Sequence, residues 1–79
     1  MKLNLFSCQD DLRLAVFPVK VPGEKVLAEQ FHGVVWEHYA TIHEEGYSIL
    51  IRLGFDLNKL FQDIKTYGFH VMKIDKIQL

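Results

Sequence analysis

Residues 47–79 carry three successive periodicities, and no other stretch restricts the fold as tightly. Tyr47, Ile49, Ile51 and Leu53 alternate with Ser48, Leu50 and Arg52, the two-residue period of a strand with one buried face. Asp56 can then cap a helix, because its carboxylate accepts bonds from orphan N–H groups and favours the positive end of the helix dipole. Leu57, Leu60, Phe61 and Ile64 follow at helical spacing, with Asn58, Lys59, Asp63 and Lys65 on the opposite side. Gly68 suits the left-handed conformation that ends a helix. Phe69 to Ile74 resumes as a strand. The stretch is therefore expected to read strand, helix, strand.

Upstream, Met1 to Ser7 alternates loosely, as a short edge strand or a terminal arm would, and Ser7 to Asp11 is polar and turn-like. In Leu12 to Lys20, Leu12, Leu14 and Val16 share one face; Arg13, Ala15, Phe17 and Val19 share the other. Pro18 has no N–H to donate, which places this strand at a sheet edge or a bulge. Pro22-Gly23 could sit at the centre of a hairpin turn. Glu24 to Gln30, however, consists mainly of helix formers, and Leu27 and Phe31 lie four apart on one face, so a helix over Gly23 to His32 is preferred. Val34 to Ile42 is expected as a strand.

A four-residue loop, His43 to Gly46, sets Ile42 opposite Tyr47, Ala40 opposite Ile49 and Trp36 opposite Leu53. It also sets Glu37 opposite Arg52, Tyr39 opposite Leu50 and Thr41 opposite Ser48, all favourable cross-strand partners. A three-residue loop would mix core and solvent faces. The resulting expectation is a single α+β domain over residues 1–79, with 1–11 as an arm or edge strand and turn. It has an antiparallel sheet and two helices on one face, a split β-α-β arrangement with the ferredoxin-like order βαββαβ.

Composition bounds what such a domain can do. The chain has 79 residues, one cysteine and a hydrophobic fraction of 49%. A small core without disulfides is marginal in stability, so this much apolar material points to burial against another chain, a protein partner or a homodimer. Net charge is −1, which removes the strongly basic nucleic-acid binder as the default. No apolar run is long enough to span a bilayer. The lone Cys8 and the lack of a signal-like N-terminus suit a cytoplasmic protein.

With both helices on one face, the other face carries Arg13, Phe17, Val19, Val35, Glu37, Tyr39, Thr41, Leu50 and Arg52. Phe17, Val35, Glu37, Tyr39, Leu50 and Arg52 form the expected partner-binding surface. The first functional reading is a non-catalytic protein-binding module, acting as a small regulator, adaptor or inhibitor. A second is a single-stranded nucleic-acid binder, with Tyr39 and Phe17 stacking bases and Arg13 and Arg52 near phosphate. Glu37 and the acidic segment 21–46 oppose it. A third is a small hydrolase using His38 or Cys8. In the expected register His38 is buried between Trp36 and Ala40, more consistent with a satisfied core histidine than a catalytic one. His32, His38, His43 and His70 have no metal-ligand spacing, and no cofactor motif is present. Asp10-Asp11 and Glu44-Glu45 read as turn residues, since a catalytic carboxylate pair must converge from different elements.

Overall fold

The computed structural model describes residues 1–8 and 12–73. It is an α+β structure with a four-stranded antiparallel sheet and three helices. Strands β1 (Leu3–Cys8) and β2 (Arg13–Pro18) precede helix α1 (Gly23–Gln30) and strand β3 (Trp36–Ile42). A single 3-10 turn at Glu44–Gly46 leads into α2 (Tyr47–Arg52), α3 (Leu57–Tyr67) and β4 (His70–Lys73). The spatial order is β3-β1-β2-β4.

The order βαββαβ is therefore not adopted. The place beside β3 that the expected hairpin assigned to residues 47–53 is filled by β1, paired from Leu3↔Ile42 to Cys8↔Trp36. Far from being an arm or an edge, β1 is an interior strand, and on its other side it pairs with β2 from Leu3↔Pro18 to Ser7↔Leu14. Because β1 is antiparallel to both neighbours, β2 and β3 run parallel, with β1 between them and α1 as their connection. β2 is interior too, since β4 pairs along it from Arg13↔Lys73 to Val16↔His70. Pro18 is tolerated at its last position. Val19 N–H donates to Lys2 C=O on the β1 side, so the Pro18 nitrogen faces the other way, beyond the end of β4.

The helices lie on both faces of the sheet, not on one. Leu3, Leu5, Leu14, Val16 and Ile42 pack with Leu50, Phe55 and Leu60, so α2 and α3 cover this face. Phe6, Ala15 and Phe17 pack on the opposite face with Leu27 of α1, flanked by Phe31, Trp36, Phe69 and Val71. The strand alternation in β1 and β2 thus feeds two apolar clusters, and both strands are buried on both sides. Each fully buried aliphatic side chain in such a layer contributes about 1.5–3 kcal/mol.

Residues 47–53 satisfy two periods at once. Tyr47, Leu50 and Leu53 are spaced three apart, and these residues face the core while Ile49 and Ile51 are exposed. What decides for helix is the stop that follows. Gly54 has φ +100°, its N–H donates to Ile51 C=O at 3.0 Å, and Phe55 N–H donates to Leu50 C=O at 3.0 Å. These two bonds make a Schellman motif, and Phe55 and Leu50 supply the hydrophobic contact that accompanies it. The α3 ends follow the expected chemistry. Asp56 accepts from Asn58 N–H at 3.0 Å and Lys59 N–H at 3.3 Å, and Gly68 is left-handed. The preferred helix after Pro22 is present as α1, two residues shorter than expected. Of the expected strand Phe69 to Ile74, Ile74 lies outside the described residues, as do Gln9 to Asp11 of the expected turn.

Candidate functional site

The pairing of β1 with β3 slips between Leu5↔Ala40 and Phe6↔His38, leaving Tyr39 as an extra residue. A bulge of this kind flips the alternation beyond it. Ala40 and Ile42 join the α2/α3 cluster, whereas Trp36 joins the α1 cluster and His38 meets the Phe6 ring at 5.7 Å. The expected buried row of Trp36, His38, Ala40 and Ile42 is divided by this slip. His38 is exposed rather than buried, and its Nε2 lies 3.0 Å from Thr41 Oγ1. The Thr41 hydroxyl donates to Asn4 Oδ1 at 2.7 Å, so it accepts from His38 Nε2–H, and the chain of three ties β3 to β1.

The six expected partner-binding residues do not share a face. Phe17 has 0% exposure, with Phe6 edge-on at 5.8 Å and Phe69 stacked at 5.1 Å. Leu50 also has 0% exposure, on α2 in the core. Arg52 is exposed at the end of α2 and does not pair with Glu37, because the strand pairing that would join them does not form. Val35, Glu37 and Tyr39 do come together, all exposed along β3 and the residue before it. Arg13 is on the α1 side, its guanidinium 5.4 Å from the Phe31 ring centre and 5.6 Å from that of Trp36.

β3 pairs with β1 only, so the backbone groups on its outer side are not taken up by another described strand. Tyr39 is 46% exposed and Val35 55% exposed, with Glu37 between them in sequence. The arrangement is an edge that offers alternating donors and acceptors with apolar side chains beside them. Its lower end is secured where the Met1 amino group pairs with the Glu44 carboxylate and the Tyr47 hydroxyl donates to Met1 C=O. The amino group, by hydrogen bond and charge, holds Glu44 below the usual glutamate range. Burial, followed by the Glu44 charge, raises the Tyr47 phenol above the usual tyrosine range. The sequence hid this edge, because the expected hairpin had covered it with residues 47–53.

Of the histidines, His32 and His43 are exposed. His70 is buried, with its Nδ1 2.7 Å from Asp63 Oδ2. Cys8 is a buried free thiol. Among the described residues no group of three His, Cys, Asp or Glu side chains could hold a metal ion. No helix among them is long and apolar enough to cross a membrane.

Fold and edge together describe a small α+β domain in which β3, one of the two outer strands among the described residues, carries exposed apolar groups beside its open side. No protein-family model matches the chain, and comparison with curated proteins and with solved structures finds no match.

Proposed function

We propose that the chain is a non-catalytic protein-binding module, a small regulator, adaptor or inhibitor that receives an extended segment of its partner along β3. The observation that carries this reading is the open outer edge of β3 with Val35 and Tyr39 exposed beside it. An occupant must supply backbone donors and acceptors, which selects a strand, and apolar side chains for Val35 and Tyr39. Glu37 favours a basic residue opposite it. The buried free Cys8 suits a cytoplasmic setting. The apolar sheet face is not part of this proposal, because helices pack on both sides. Base stacking loses its platform with Phe17 enclosed, and no observation favours hydrolysis at His38 or Cys8.

The test is a selection of displayed peptides on the intact chain, preceded by light scattering over a concentration series to detect a second copy as occupant. Bound peptide, or the second copy, should slow hydrogen exchange along β3, and Tyr39→Asp should weaken binding by about tenfold or more, the size of one lost apolar anchor. Protection confined to another surface, or binding unchanged in both Tyr39→Asp and Val35→Asp, would sink the proposal.

A further inference from the structure

The backbone of β3 restricts what can lie beside it, and where. In antiparallel strands one residue turns its N–H and C=O to one neighbour, and the next residue turns them to the other. Val19 N–H donates to Lys2 C=O, so the Lys2 backbone faces β2, and alternation turns Leu3, Leu5 and Ser7 to β3. Their partners Ile42, Ala40 and Glu37 therefore bond inward. The N–H and C=O groups of Trp36, His38 and Thr41 are left pointing outward. Trp36 and His38 are two residues apart, the spacing of a regular ladder. His38 and Thr41 are three apart, because the extra residue Tyr39 lies between them. A regular strand cannot bond on both sides of that break. Before Trp36 the ladder loses its next donor, since Val34 N–H turns back to Phe31 C=O at 3.4 Å. The outward groups of Trp36 and His38 are thus the longest regular run of the edge.

Trp36 and His38 send their side chains to the α1 side, where Trp36 joins the cluster and His38 meets Phe6. Glu37, opposite Ser7, goes to the other side. It is exposed and makes no ion pair with a described residue. Towards an outer strand it would hold the non-hydrogen-bonded position between two bonded ones, where facing side chains come closest. Val35, immediately before β3, is exposed two residues earlier.

These positions disfavour a second copy of this chain. One antiparallel register uses the outward groups of Trp36 and His38 on both copies, with Trp36 against His38 of the second copy and the reverse. Its two-fold axis passes through Glu37, so two carboxylates face each other.

We propose that the β3 edge takes a short antiparallel segment of a different protein, with Lys or Arg opposite Glu37 and an apolar residue two positions later, opposite Val35. Tyr39, just past the paired run, reaches the segment diagonally. The assignment rests on the reading of β3 as the partner-binding edge, and narrows that edge to one register, direction and charge.

A displayed library of random linear peptides, selected on wild type and on Glu37→Lys, tests it. Peptides from wild type should be enriched in Lys or Arg two positions before an apolar residue. Those from Glu37→Lys should carry Asp or Glu there instead. Replacing the basic residue of a wild-type-selected peptide by Glu should weaken its binding to wild type about fivefold and strengthen its binding to Glu37→Lys. Glu29→Lys on α1 changes net charge equally and should keep the wild-type preference. In the bound state the amides of Trp36 and His38 should exchange more slowly, and that of Thr41 should not. Protection at Trp36 and His38 without a basic preference, or a preference that Glu37→Lys leaves unchanged or Glu29→Lys also reverses, would overturn the charge assignment and leave the edge reading standing. An apolar residue two positions before the basic one would overturn the direction, and protection of Thr41 the register. A wild-type dimer protected at Trp36 and His38 would overturn the choice of a different protein. No selected peptide, or none that protects β3, would overturn this assignment and the edge reading together.

Discussion

Gly23 shows how a single position can carry a packing constraint that composition hides. It opens α1, where the helix crosses the sheet closely enough that a Cβ would stand 2.6 Å from Phe6 Cε2 and 3.0 Å from Phe17 Cδ1. Both rings are enclosed, and Phe17 is stacked on Phe69, so neither can swing aside. Gly23→Ala gains at most about 1 kcal/mol of helix propensity. Overpacking a close-fitting core costs about 1–3 kcal/mol. A net loss of stability is expected, read as a lower denaturation midpoint in urea with an unchanged slope. A gain would mean that α1 stands further from the sheet than described. The sequence reading already placed Gly23 at the start of the helix preferred over a Pro22-Gly23 hairpin turn, but not its contact with the rings, because a close approach between helix and sheet leaves no local mark.

At the scale of elements, α2 is where period and context disagree. A strand over 47–53 would bury Ile49 and Ile51 and expose Leu50, and the helix does the reverse. Leu50→Ala should therefore cost about 2–5 kcal/mol, whereas Ile51→Ala, at 59% exposure, should stay within about 0.5 kcal/mol. Thermal or urea melts of the two variants decide between the readings, and equal losses would speak against the helix. Leu50→Asp cannot serve as a surface probe, since it would place a charge inside the core. The α3 ends and the existence of α1 were legible because caps and helix formers act locally. The bulge at Tyr39 and the helix at 47–52 were not. Seven residues with apolar groups at both spacings fit either period, and the arbiter was Gly54-Phe55, two residues beyond. Of the expected binding residues, Val35, Glu37 and Tyr39 are exposed together at β3, while Phe17 and Leu50 were misplaced by the same unrecognised helix and by the assumption of a one-sided sheet.

Across the whole molecule, the sheet is a partition with a cluster on each side, and β1 and β2 belong to both. Leu5 faces α2 and α3 while its neighbour Phe6 faces α1. Neither cluster can be lost without disturbing strands that line the other. Unfolding should therefore be a single transition by calorimetry, with equal calorimetric and van't Hoff enthalpies. Leu27→Ala on one face and Leu60→Ala on the other should each lower the same midpoint rather than create a second one. Two resolved transitions in either variant would show that the faces melt independently. This division was invisible in advance, because the burial of both rows of β1 and β2 follows from their interior position and not from their own alternation.

The interior position of β1 also orders events during synthesis. β1 and β2 leave the ribosome before β3 and β4 and can close on each other as a hairpin. The far side of β1 then waits for β3, and the far side of β2 waits for β4, the last described strand. A nascent chain that stalls after α1 carries two bare edges and the apolar row that α2 and α3 would cover. Such a fragment is a template for its own copies, so fidelity of completion matters more for this topology than for one whose first strand ends at a sheet margin.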